Sequence, residues 1–250
     1  MTYCLGIFSK EGIIGLADTR ITSGSETTTS KKVYTVERDK HSYFIMTSGL
    51  RSVRDKAITY FSEVIEDQDK EFDKLYKAVN KFGQQVKRVA EEDGKNLKES
   101  GMNFNLYAIV GGQLENDNQP KLYLLYPQGN WIEIGEGTPF VIIGNSGFGT
   151  PILKRSLTYN SSLDFALKSA FLSFDATRIS ANDVDYPIDA VVLRKDEFDL
   201  IEHRFHEKDL GHIADFWISK LRAAIDNLPA DTLNDALSSD TENITLTDAS

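Results

Sequence analysis

Two apolar runs, Thr2 to Phe8 and Ile13 to Ala17, are separated only by Ser9-Lys10-Glu11-Gly12. Short β-prone runs around a polar turn containing glycine fold back on each other as a hairpin. The second run returns the chain so that Asp18, which follows it, lies at the same end as Thr2, and the first eighteen residues predict a carboxylate beside a threonine hydroxyl. Two further runs, Val33-Tyr34-Thr35-Val36 and Tyr43-Phe44-Ile45-Met46, form a second hairpin around Glu37-Arg38-Asp39-Lys40. Lys32 heads the first of these strands and Gly49 follows the second. The intervening stretch from Ile21 to Ser30, rich in Ser and Thr, predicts a surface loop.

The periodicity then changes from two to three-and-four. Val53, Ala57, Ile58, Phe61 and Val64-Ile65 mark a helix from Leu50 to about Asp67, and Leu75, Val79, Phe82, Val86 and Val89 a second from about Phe72 to Leu97. The Lys and Glu residues between these positions read as a solvated face. Strands return at Phe104 to Val110, Lys121 to Tyr126 and Trp131 to Ile134, with polar turns between them. Helical spacing resumes over Ile152 to Leu157 and from Leu163 to about Thr177, where Phe165, Leu167 and Phe171 suggest a well-covered helix closed by Asp175. A carboxylate near a helix C-terminus is mildly unfavourable, which hints at a partner. Strands Ile188 to Leu193 and Leu200 to His203 precede a final helix over Ile213 to Ile225. Two consecutive helices after strands argue against alternating βαβ winding and for α+β. Residues 1–228 read as one domain, and 229–250 as an acidic tail.

The chemistry concentrates at Thr2. Loss of Met1 would leave a hydroxyl and a free α-amine on one carbon, a nucleophile with its own base. The amine's ordinary pKa of about 7.7–8.0 suits general-base work near neutrality. A lysine close to the hydroxyl favours its ionised form, and an aspartate close to the lysine keeps the lysine charged and oriented. Glycine after a strand lets a backbone N–H approach a substrate carbonyl.

Thr2, Ala17-Asp18-Thr19-Arg20 with Thr22 and Gly24, Lys32, and Thr47-Ser48-Gly49 resemble the N-terminal half of proteasome β-type, HslV-like threonine proteases. The opening Met-Thr-Tyr-Cys, Ile143-Gly144 with Gly149-Thr150-Pro151, and Pro187-Ile188-Asp189 are similar to the bacterial Anbu, or ancestral β-subunit, branch, over roughly residues 1–225. The resemblance implies a four-layer αββα sandwich of the N-terminal nucleophile hydrolase type. It implies Thr2 as nucleophile, Asp18 and Lys32 as its charged partners, Gly49 as oxyanion donor, and Asp175 and Ser180 as supports near the amine. Asn145 or Ser146 joins that group. It also implies that Thr22, Gly24 and Gly49 border the substrate groove and that Thr47 with Arg51 shapes the specificity pocket. No cofactor or metal is implied. The implied partners are a peptide or unfolded protein substrate and further copies of the chain, in a ring or open ring-like homo-oligomer, with Phe61 and Tyr76 available on the paired helices. A catalytically idle scaffold subunit and an amidase for a small non-protein amide stand as alternatives, since Tyr3 and Leu50 depart from the usual β pattern.

Other functional classes find less support. With 38 acidic against 28 basic residues and a formal charge of −10, the surface repels nucleic acid and anionic lipid. The single cysteine, Cys4, excludes an intramolecular disulfide framework and, with no export signal or long apolar stretch, predicts a soluble cytoplasmic protein. The glycines between Val141 and Gly149 lack the G-x-G-x-x-G spacing of a dinucleotide fold. His203 and His206 lack a third zinc ligand, and no G-x-S-x-G elbow is present.

Overall fold

The computed structural model describes residues 2–23, 26–68, 72–229 and 233. In chain order the strands of the first part are β1 (Tyr3–Ser9), β2 (Gly12–Asp18), β3 (Arg20–Ser23), β4 (Glu26–Thr29), β5 (Val33–Arg38) and β6 (His41–Gly49). Helices α1 (Arg51–Gln68) and α2 (Leu75–Glu99) follow, then strands β7 (Leu106–Leu114), β8 (Lys121–Leu125), β9 (Trp131–Glu133) and β10 (Phe140–Gly144). The chain continues through α3 (Thr150–Ser156), α4 (Leu163–Arg178), β11 (Ile188–Arg194), β12 (Leu200–Phe205) and α5 (Glu207–Asp226). Leu210 closes one compact unit and Gly211 opens a second, to which most of α5 belongs.

Within the first unit, two five-stranded antiparallel sheets lie face to face, ordered β10-β1-β2-β11-β12 and β5-β6-β7-β8-β9. Alternation along β1 decides which side chain goes where. Cys4 and Phe8 enter the layer between the sheets together with Ile13, Ala17, Phe44, Met46, Ile109 and Leu122. Tyr3 faces the other way, its ring edge-on to Phe174 of α4 and its hydroxyl donating to Ser173 Oγ at 2.7 Å. On the second sheet α1 and α2 bury Val53, Ala57, Phe61, Val79, Phe82 and Val86 against Tyr43, Ile45, Val110 and Tyr123. The result is a four-layer αββα sandwich.

The sheets approach closely where side chains are absent. A Cβ added at Gly15 or Gly111 would lie 2.8 or 2.5 Å from the Phe44 ring, so the two glycines make the slot that this ring fills.

Several sequence expectations need correction. Ile21 to Ser30 is not a loop, because β3 and β4 pair as a two-stranded hairpin from Arg20↔Thr29 to Ser23↔Glu26. Threonine's β-branched side chain suits that extended backbone and outweighs its frequent use in loops. Helix α4 does not close at Asp175 but runs on to Arg178, whose guanidinium donates to Asp175 Oδ1. Phe165 of the same helix is exposed rather than covered. Phe61, expected on a self-association face, is fully buried within the α1–α2 core, whereas Tyr76 is exposed. Helix α5 starts at Glu207, six residues before Ile213.

Candidate active site

The β1–β2 hairpin pairs Cys4 with Ala17 and so brings Thr2 beside Asp18. Thr2 Oγ1 donates to Asp18 Oδ1 at 2.7 Å, and the backbone N–H of Tyr3 donates to the same oxygen at 2.8 Å. Lys32, at the entry to β5, donates from Nζ to Asp18 Oδ1 at 2.7 Å and also to Thr2 Oγ1. Thr2, Asp18 and Lys32 are all buried, with 6, 0 and 6 % of their surface exposed. Asp18 Oδ2 has no hydrogen-bond partner among the described residues. Burial pushes the Asp18 carboxyl up from its usual range, against the opposing pull of the Lys32 ammonium. Cys4 lies next along the strand, and burial pushes its thiol up to about 12, which keeps it protonated and unreactive.

The backbone behind Thr2 is held as firmly as its side chain. Its carbonyl accepts the Asn145 N–H at 2.8 Å, at the point where β10 ends on Gly144. Gly144 has φ +89°, and a Cβ there would lie 2.0 Å from the Thr2 carbonyl oxygen, so only glycine allows the chains to meet. Gly49 makes a second such point at the end of β6, with φ +142° and a would-be Cβ 2.0 Å from Asn105 O.

A groove of about 620 Å³ opens over these residues and is lined by Thr2, Lys32, Thr47, Gly49, Arg51 and Asn105 among others. Thr2, Asp18, Lys32, Thr47, Gly49 and Arg51, named from the sequence, thus gather in one place. Thr22 lies in β3 opposite Thr27 in register, and Gly24 lies outside the described residues. Three other named residues make different contacts. Asp175 is buried and pairs with Arg178 at 2.9 Å. Ser180 is exposed, its hydroxyl donating to Ala176 O at 2.9 Å. Ser146 receives the Thr150 hydroxyl on its carbonyl at 2.6 Å and lines a separate recess with Lys154 and Arg155. Among the described residues none of these three side chains has a hydrogen bond to Thr2. Among the described residues no group of three or more His, Cys, Asp or Glu side chains is gathered for a metal ion.

Sequence reasoning missed Arg20 and Arg54, which also line the groove. Arg54 carried a legible signal: with Arg51 it places a second cation in the first turn of α1, where the helix dipole disfavours positive charge.

Chemically, the arrangement gives a buried hydroxyl whose ionised form is favoured by an adjacent ammonium, beneath an open groove.

The sequence pattern of the proteasome subunit family matches residues 2–183. No match is found among curated proteins. Among solved structures, an Anbu (Gly-1) mutant from Hyphomicrobium sp. strain MC1 is 28% identical, with 91% of this chain and 98% of that chain covered and a TM-score of 0.85. Anbu, the ancestral β-subunit, from Yersinia bercovieri is 26% identical over 91% of this chain and 98% of its own, with a TM-score of 0.84. The helical assembly of the Anbu complex from Pseudomonas aeruginosa is 28% identical over 91% and 97%, with a TM-score of 0.85. Pattern, fold and the residues gathered at the head of β1 agree: this chain belongs to the proteasome subunit family, on its Anbu branch.

Proposed function

We propose that the chain is a threonine-type peptidase that cuts peptide bonds with Thr2 as nucleophile, after loss of Met1, inside a compartment built from copies of itself. The observation that carries this reading is the buried triangle of Thr2 Oγ1, Lys32 Nζ and Asp18 Oδ1.

In this mechanism the freed Thr2 amine takes the proton from Oγ1 as the oxygen attacks the substrate carbonyl. Lys32 stabilises the developing alkoxide, and Asp18 holds Lys32 charged and in position. The N–H of Gly49 stabilises the oxyanion. Collapse of the tetrahedral intermediate breaks the C–N bond, and the amine returns its proton to the departing nitrogen. An ester to Thr2 remains, which water then hydrolyses. The assembled relative from Pseudomonas aeruginosa supports self-association, and the absence of any helix long and apolar enough to cross a membrane, among the described residues, agrees with a soluble assembly.

Intact mass of the purified protein together with a β-lactone or epoxyketone probe tests the reading. One adduct mapped to Thr2, absent from Thr2→Ala, is the result expected. A retained Met1 with no adduct and no cleavage of a peptide library would remove it.

A further inference from the structure

We propose that this site selects an acidic side chain, glutamate or aspartate, on the substrate residue that precedes the bond to be cut. This rests on the peptidase reading and adds the substrate class.

A recess of about 290 Å³ opens beside the groove, and the two share Lys32, Thr47 and Arg54. Val33, Ile45 and Ile58 contribute apolar walls. Thr47 supplies the first sign of a polar occupant. It is 3 % exposed, and its Oγ1 is buried without a hydrogen-bond partner among the described residues. A buried hydroxyl with no partner calls for one, and the recess is the space it lines.

Arg54 supplies the charge. Its side chain is 14 % exposed, and both Nη2, at 2.6 Å, and Nε, at 2.8 Å, are spent on Asp55 Oδ1. The other oxygen of Asp55 receives Arg51 Nε at 3.3 Å. Two guanidiniums thus divide one carboxylate, and an arginine carries five N–H donors in all. Both arginines stand in the first turn of an 18-residue helix that has no acidic residue there, so the dipole adds to the positive surplus. The two lysines in the wall are otherwise engaged, Lys32 with Asp18 at 2.7 Å and Lys31 with Glu202 at 2.5 Å. Asp55 lines the recess beside Arg54 and Arg51 lines the adjoining groove, so the surplus guanidinium belongs to the recess and its mouth together, in a chain of net charge −10. A carboxylate entering it accepts from the Arg54 guanidinium and from Thr47 Oγ1. It removes the surplus cation and satisfies the buried hydroxyl together. A neutral amide of the same shape does only the second.

The test uses the assembled, Met1-processed protein and paired fluorogenic peptides that differ only in Glu or Gln before the cleaved bond. The wild type should favour Glu by roughly tenfold or more in kcat/KM, as a charge-assisted hydrogen bond in a shielded site allows. Arg54→Gln should bring that ratio to about one, and Arg54→Glu should invert it in favour of Gln; melting curves check that both are folded. Thr47→Val, which keeps the volume, should lower the ratio independently. Epoxyketones bearing Glu or Gln give the same comparison as rates of Thr2 labelling. Labelling or cleavage without a preference for Glu overturns this proposal and leaves the peptidase reading standing. No labelling and no cleavage with any probe overturns both.

Discussion

The Lys32 ammonium stands 2.7 Å from the Asp18 carboxylate where neither side chain is more than 5 % exposed. An ion pair this dry is poor value for stability, since desolvation consumes most of the Coulombic gain. Its presence at the head of β1, with a threonine hydroxyl as the third member, is what the proposed chemistry requires and what folding alone does not.

The two partners should respond unequally to removal. Lys32→Met strands a buried carboxylate and should cost about 3–5 kcal/mol of unfolding free energy at neutral pH, as breaking a buried pair does. Adding Asp18→Asn should recover most of that loss while, on the peptidase reading, restoring no cleavage or probe labelling. Urea unfolding of the two single variants and the double variant checks it, and simple additivity would count against the pairing.

The pH dependence carries a definite sign. Burial raises the folded-state affinity of Asp18 for its proton above the unfolded value of about 3.9. Stability from this group is therefore present below that unfolded value and is lost as pH climbs through the raised one. The stability difference between wild type and Asp18→Asn should fall over that interval and then level off. Turnover should rise over the same interval, because the Lys32 partner must be charged. Parallel denaturation and activity profiles of both proteins measure the two trends; a stability difference that grows with pH would contradict the assignment.

Gly144→Ala should damage the site without touching any group that reacts. Positive φ alone costs an L-residue about 1–3 kcal/mol, and the added Cβ meets the Thr2 carbonyl oxygen at 2.0 Å. A lowered melting temperature should accompany slower probe labelling of Thr2, whereas Gly147→Ala, whose Cβ would meet nothing, should change neither.

Cys4 offers a reporter for the first strand. Its thiol is fully buried and raised to about 12, so iodoacetamide at pH 8 should leave the native protein unmodified. Labelling should appear with global unfolding, followed by mass spectrometry against denaturant. Fast labelling of the native state would mean that β1 opens on its own.

Much of this was written in the first fifty residues. Matching strand lengths fix the register that brings Thr2 to Asp18, and period-two alternation separates Cys4 from Tyr3. Gly49 at a strand end was legible as a place where backbone is left uncovered, whereas the close approach of Gly144 to the Thr2 carbonyl shows only once the strands are paired. What escaped depends on contacts that local pattern does not carry. Threonines between Arg20 and Thr29 serve a hairpin as readily as a loop, and pairing settled the matter. Phe61 belongs to an apolar stripe whether that stripe meets α2 or another subunit, and only packing distinguishes the two. The roles of Asp175, Ser180 and Ser146 came from resemblance alone, and their hydrogen bonds here run to Arg178, Ala176 and Thr150.

The link from the Asn145 amide to the Thr2 carbonyl has a further consequence. A polypeptide's leading residue ordinarily frays, because water satisfies it as well as the protein does. Here residue 2 is pinned from behind through its main chain and from in front through its hydroxyl. Trimming the chain to this point would leave its new end standing still, already aligned before any substrate arrives.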